Sequence, residues 1–263
     1  MNNMENKDLQ EKYDKVYQDS SEKFFSFIPT ESFLDIVSMQ EWTNRNVLDI
    51  GCGEGDIVTM VASMGAKKIL GIDYSEEAID ICKKRHNRDN IEFRQCHYQD
   101  VKDKFDVIVM GGVLEHFDNP FEELDYIIKN NLNENGVIIT SSPNFLNLRG
   151  SIWMTLQLLF GIPMTLTDLH FFIPSDFEEF CQKHVYGLEY KSTEQNWGNG
   201  EKILKDFAKR LPNALKDAGM EGNVEALLGW IKKTIKYQRI DNSSGAIVIY
   251  KLYKNKNSMS LDK

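Results

Sequence analysis

Five short apolar, β-branched runs recur along the first half of the chain: NVLDI (46–50), KKILGID (67–73), IEFRQC (91–96), FDVIVM (105–110) and GVIITSS (136–142). Runs of this length without strict alternation read as strands buried on both faces, and helix-patterned segments between them require parallel pairing. The fold class is therefore α/β, a doubly wound sheet. Helix starts are readable in the connections. Ser75 ahead of Glu76 and Glu77 supplies a cap and first-turn acids, and Asn119 precedes Pro120 at a first helical position. Beyond the fifth run, LEYKSTEQ (188–195) and GAIVIYKLYK (245–254) read as two further strands, with residues 196–244 as a helical insertion between them. Residues 1–44 read as an N-terminal helical cap, and the 263 residues as one domain.

Composition narrows the partners. An apolar content of 41% with 11% aromatics fits a folded, soluble chain. The polar start, MNNMENKD, has no basic patch and no apolar core, so neither a signal nor a transit peptide is expected and the chain is assigned to the cytoplasm. The longest uncharged run, 150–167, is broken by Gly161 and Pro163, so no membrane span is expected. That run reads either as a substrate lid or as a core helix. A net charge of −9 disfavours nucleic acid, whose binding needs clustered Lys and Arg. Four cysteines without a CxxC pair read as free thiols and argue against structural zinc.

The first strand runs into glycines at every second position, Gly51, Gly53 and Gly55, before a helix. Such a junction lets backbone N–H groups approach a ligand, and the helix start adds a positive partial charge. The dinucleotide fingerprint GxGxxG would need its third glycine at position 56, which is Asp56. Asp49, inside the first strand, needs a donor from the loop or a cationic ligand. Asp73 ends the second strand, where a carboxylate can accept both ribose hydroxyls of an adenosine or simply cap the Ser75 helix.

Taken together, VLDIGCGEGD, GIDYSEEAI and FDVIVMGGVLEHFDNP resemble the motifs of class I S-adenosylmethionine-dependent methyltransferases, in particular the branch of ubiquinone-pathway and related small-molecule O-methyltransferases. The resemblance covers about residues 45–195. It implies a seven-stranded Rossmann-like sheet with an antiparallel last strand, S-adenosylmethionine as cofactor and S-adenosylhomocysteine as product. It further implies that Gly51, Cys52 and Gly53 line the methionine moiety, with Asp49 near its ammonium. Asp73 would hold the ribose, and Tyr74 would pack on adenine. His97 stands where such enzymes often place an adenine-binding acid, so His97, Tyr98, Gln99 or Asp100 takes that role. Met110 and Gly111 would pass beside the cofactor.

Methyl transfer to a hydroxyl needs alignment and removal of a proton. His116, in LEHF just past the fourth strand, reads as the general base, or else caps the following turn or packs over the cofactor. In TDLHFFIPSDFEEF, Asp168 and His170 either reach the acceptor or tie the loop to the sheet, and Pro174 starts a helix. Some relatives hold a metal with an acid three residues before the Glu-His pair; that place is Gly112, so no metal is expected. Tyr13, Tyr17, Phe24 and Phe25 form either core or a cover over the cofactor. The expected reaction is O-methylation of a small-molecule acceptor, a polar metabolite or activated sugar, with surface-polysaccharide or natural-product biosynthesis as the setting by resemblance. RNA or protein methylation, or a non-catalytic cofactor-binding scaffold, are the alternatives. A monomer or homodimer is expected.

Overall fold

The structure is a computed structural model describing residues 30–162 and 168–254. The elements run α1 (Thr30–Ser38), β1 (Asn46–Ile50), α2 (Asp56–Ser63), β2 (Lys68–Asp73), α3 (Glu76–Arg85), β3 (Ile91–Gln95) and β4 (Phe105–Gly111). They continue through α4 (Pro120–Asn131), β5 (Leu132–Pro143), α5 (Leu148–Phe160), α6 (Pro174–His184), β6 (Tyr186–Thr193), α7 (Gln195–Gly198), α8 (Lys202–Asp217), α9 (Val224–Thr234) and β7 (Ile247–Lys254). One sheet of seven strands has the order β3-β2-β1-β4-β5-β7-β6. The first five strands pair in parallel, and β7 is antiparallel to both β5 and β6. The expected doubly wound sheet with an antiparallel last strand is what the chain forms.

The order reverses between β1 and β4, so the carboxyl ends of these two strands flank a crevice, where ligands of open α/β sheets bind. Alternation along the strands sends side chains to two apolar layers. Leu48, Ile50, Ile72, Ile108 and Met110 pack with Leu124 and Ile127 of α4 and Phe177 of α6. Val47, Ile69, Val107 and Val109 pack on the other face with Ile36 of α1, Val58 of α2 and Ile79 of α3. A third cluster joins Trp153 of α5 to Ile203 and Phe207 of α8 and Ile231 of α9, which docks the helical segment beside the crevice.

Several boundaries differ from the sequence reading, each for a local reason. β5 starts at Leu132 rather than 136, because polar Asn133 to Asn135 continue the strand through a register shift opposite Phe105 and Val107. β6 stops at Thr193 because Glu194 adopts a left-handed φ of 59°. Ser75 caps α3 by accepting the Ala78 N–H, whereas Asn119 occupies the cap position of α4 without a side-chain bond. The uncharged run forms α5 only as far as Phe160, where Gly161 at φ 65° ends the helix. Tyr13, Tyr17, Phe24 and Phe25 lie outside the described residues. None of the described helices is long and apolar enough to cross a membrane.

Buried asparagines fix the crevice wall after β5. The Asn144 amide donates to the carbonyls of Ser243 (2.6 Å) and Gly245 (2.7 Å), and Asn147 donates to Gly245 (2.9 Å) while capping α5 through the Gly150 N–H (2.7 Å). Leaving such buried acceptors unmet costs more than the net value of a hydrogen bond. Asn144→Ala is expected to destabilise the fold by about 1–3 kcal/mol, read as a lowered urea midpoint with an unchanged m-value.

Candidate active site

The glycine loop is shaped by the strand next to it. The Ile72 carbonyl accepts the N–H groups of both Gly51 (2.8 Å) and Cys52 (3.0 Å), which turns the chain sharply at the end of β1. Gly51, Gly53 and Gly55 all have positive φ, at 69°, 51° and 82°, a region that L side chains avoid. A Cβ on Gly51 would also lie 2.5 Å from the Val113 side chain. Cys82 of α3 donates its thiol to the Gly53 carbonyl at 3.0 Å. Cys52 is buried beside it, and the neighbouring Cys82 thiol, with burial, pushes the Cys52 thiol well up. The loop cysteine is therefore a packing group and not a thiolate.

Asp73 links this loop to the next helix. One carboxylate oxygen accepts the Gly53 N–H (3.0 Å) and the other the Ser75 N–H (2.9 Å). An ionised carboxylate has about four acceptor positions, and these bonds hold Asp73 in a fixed orientation at the end of β2. Asp49 is different: it is 2% exposed, and its Oδ2 is buried with no hydrogen-bond partner. Burial, followed by repulsion from Asp73, pushes its carboxyl up to about 8. A buried acid without a donor, behind a loop of left-handed glycines, fits a cationic ligand group. The residues present therefore fit the methionine end of S-adenosylmethionine.

Two of the residues expected near the adenosine turn their side chains to the core. Tyr98 is buried, bonds Glu123 through its hydroxyl and packs tilted on Phe117 and edge-on to Tyr126, so its ring belongs to the core. His97, half-buried at the cap of a short 3-10 turn (Tyr98–Asp100), is left as the ring of that loop open to a ligand, and burial lowers its pKa. The Met110 side chain is wholly buried in the core because its strand position faces α4, and the half-buried Gly111 ends the strand beside it. Tyr74 stays half-buried beyond β2, its carbonyl accepting from Gln95 at 3.2 Å.

The acceptor side forms where a 3-10 turn (Leu114–His116) meets the segment before α6. The Glu115 carbonyl accepts the N–H groups of Leu169 (2.9 Å) and His170 (3.2 Å). That pairing brings Asp168 to His116, with Oδ1 3.6 Å from Nδ1 and both side chains about 15% exposed. Glu115 is buried and accepts the Ser142 hydroxyl at 3.2 Å; burial, then Asp168, pushes its carboxyl up to about 8. His170 lies parallel to Phe172 at 5.8 Å, and its Nε2 is buried with no partner. Among the described residues, Glu115, His116 and Asp168 place ligand atoms within 4.8 Å of one another, a set that could hold a cation. Asp49 Oδ2 and His170 Nε2 are the buried side-chain atoms without partners among the described residues, and they mark the two halves of the site.

The sequence gives no sign of a site at Arg149 and Asp206, although Asp206 is buried and Arg149 largely so beside this segment. Arg149 Nε donates to Asp206 Oδ2 at 2.7 Å and Arg210 to Oδ1 at 3.3 Å. A lone Asp within EKILKDFAKRL reads as a surface residue; its four-residue spacing to Arg210 was the available signal. Gly51→Ala is expected to weaken S-adenosylhomocysteine binding at least about tenfold and to cost about 1–2 kcal/mol of stability for its left-handed backbone. Calorimetric titration and thermal melting would measure the two effects.

A methyltransferase domain family model matches residues 43–207, more than half of the chain. Ribosomal protein L11 methyltransferase of Lactobacillus johnsonii is 36% identical over 107 residues, which is 39% of this chain and 33% of that protein. The chain thus spans about a third of the length of such L11 relatives. Ubiquinone biosynthesis O-methyltransferase of Glaesserella parasuis is 26% identical over 242 residues, covering 81% of this chain and all of that protein. Among solved structures, a SAM-dependent methyltransferase from Archaeoglobus fulgidus superposes with a TM-score of 0.54 at 19% identity, over 85% of this chain and 92% of that one. A DhpI-SAM-HEP complex superposes at 0.58 and 18% identity, over 73% and 94%. With the matched family model, the sheet order and the glycine loop in agreement, the chain belongs to the methyltransferase domain family, the S-adenosylmethionine-dependent enzymes whose motifs it carries.

Proposed function

We propose that the protein methylates an oxygen of a small polar acceptor, with His116 as general base. The observation that carries this reading is the His116–Asp168 pair at the carboxyl end of β4, beside the loop that fits the cofactor. When bound, S-adenosylmethionine supplies an electrophilic methyl carbon on a sulfonium. Asp49 with the fixed glycine loop at one end and Asp73 at the other would hold the donor in one orientation, which lowers the entropic part of the barrier. Asp168 beside Nδ1 favours the imidazolium that forms when His116 takes the proton of an attacking hydroxyl. The segment anchored on the Glu115 carbonyl keeps that pair largely out of water. Support for a small acceptor comes from the alignment to the ubiquinone-pathway enzyme along its whole length. The L11 methyltransferases favour the second reading, nitrogen methylation of a protein, through higher identity over a shorter span.

Radiolabelled-methyl assays against hydroxylated metabolites and against ribosomal protein separate the two readings: transfer only to protein nitrogen overturns the small-molecule one. His116→Ala is expected to lower turnover about 10²–10⁴-fold with S-adenosylhomocysteine affinity nearly unchanged; full activity in that variant would remove the base assignment.

Asp49 gives a pH test of the cofactor site. Its folded carboxyl is raised above the unfolded value of 3.8 to about 8, so the ligand-free fold holds this proton and loses stability as pH rises across that range. An ammonium beside it favours the ionised form. Binding should therefore release a proton, and affinity for S-adenosylhomocysteine should rise by up to about tenfold per unit between pH 6 and 7. Calorimetry in buffers of different ionisation enthalpy measures the release, and Asp49→Asn should abolish it.

A further inference from the structure

Arg149 stands in the first turn of α5, shortly after β5 ends at the crevice, and its side chain is 12% exposed. Its Nε donates to Asp206, whose side chain is fully buried. No hydrogen bond engages either terminal nitrogen of the guanidinium among the described residues. Those two nitrogens are the edge that grips carboxylates and phosphates by two parallel bonds. A nearly buried arginine normally has that edge occupied, because unmet charged donors away from water are costly.

The surroundings bias this position towards an anion. Asp206 is shared by two guanidinium groups, since Arg210 bonds its other oxygen and lies 4.7 Å over the Trp153 ring, while the Trp153 indole also reaches Asp206 at 3.4 Å. Burial opposes ionisation of Asp206, and Arg149 and Arg210 outweigh it, holding its carboxyl below the usual range. Burial pulls Arg210 below its ordinary value against the attraction of Asp206, and Arg149 pushes the same way as burial. The charge of Asp168, which sits 3.6 Å from His116, also acts on Arg210. Arg210, and with it the Arg149–Asp206 pair, therefore lies within electrostatic reach of Asp168, the partner of the proposed base.

We propose that the terminal nitrogens of Arg149 bind an oxyanion of the methyl acceptor, so that the acceptor is a carboxylate or phosphate-bearing small molecule. This rests on the reading of the site as an acceptor-methylating one. Asp206 and Trp153 act as positioning groups: the carboxylate fixes Nε and the indole limits rotation, which presents the fork in one orientation. A lysine could keep the charge and lose the fork.

The test uses the full chain saturated with S-adenosylhomocysteine, titrated calorimetrically with inorganic phosphate and separately with acetate, each against sodium chloride at matched ionic strength. The expected result is saturable binding of at least one anion, weakened about tenfold or more in Arg149→Gln and clearly weakened in Arg149→Lys, since tenfold corresponds to one lost charge-assisted bond. Stronger phosphate binding assigns a phosphate ester; stronger acetate binding assigns a carboxylate. Saturable binding by neither anion below about 50 mM, or equal affinity in wild type and Arg149→Lys, overturns the proposal. Should the Gln variant fail to fold, the Lys variant decides, because it keeps a cation beside Asp206. Binding of S-adenosylhomocysteine in the same samples separates the two levels. If it binds and the anions do not, only the oxyanion proposal falls; if it does not bind, the reading of the site falls.

Discussion

The short path of backbone between β1 and α2 depends on acceptors that belong to β2. Three successive N–H groups, from Gly51, Cys52 and Gly53, are taken by the Ile72 carbonyl and the Asp73 carboxylate. Parallel pairing of β1 with β2 puts those acceptors in place, because Ile50 is in register with Ile72. With these donors satisfied by a neighbouring strand, the loop can hold left-handed backbone at three glycines without leaving buried polar groups unmet. The same bonds turn Asp73 from a helix-flanking acid into a fixed acceptor at the rim of the crevice. The cofactor half of the site is thus a product of sheet register.

The acceptor half is built differently, from segments distant in sequence. A single carbonyl, that of Glu115, holds the backbone of Leu169 and His170 and so brings Asp168 to His116. Asn144 and Asn147 bond carbonyls about a hundred residues away and fix the entry to α5. Asp206 then ties α5 to α8 inside the third apolar cluster. Each link is a hydrogen bond or ion pair in a dry environment, where removing one partner is costly. The helical segment is therefore held to the crevice wall by polar contacts as well as by Trp153 and Phe207.

These two constructions explain what could be read from the sequence. The candidate cofactor half depends on glycine spacing and on acids at strand ends, which are local patterns, so the left-handed turns at Gly51 and Gly53 and the strand-end places of Asp49 and Asp73 are legible. The strand order was legible for the same reason, through buried runs and their helical connections. The resemblance places Tyr98 and Met110 near the cofactor without saying which way they face; that depends on local alternation, and both side chains point to the core. The link from His116 to Asp168 leaves no local trace, and neither does the embrace of Asp206 by Arg149. Burial of a charged residue is a property of the packed fold, so a sequence pattern could present Arg149 only as one more charge after β5.

The division bears on how such a site can diversify. Changing any of the three loop glycines disturbs a left-handed backbone that L side chains avoid, so variation there is confined by sterics. The acceptor wall is confined chiefly by the need to satisfy its polar groups. A replacement of Arg149 that leaves Asp206 paired with Arg210 and Trp153 would keep α5 and α8 together while altering what the crevice can recognise. Specificity in this protein is therefore separable from cofactor binding in the physical sense that the two depend on different bonds, one set fixed by strand register and the other by buried side-chain pairs.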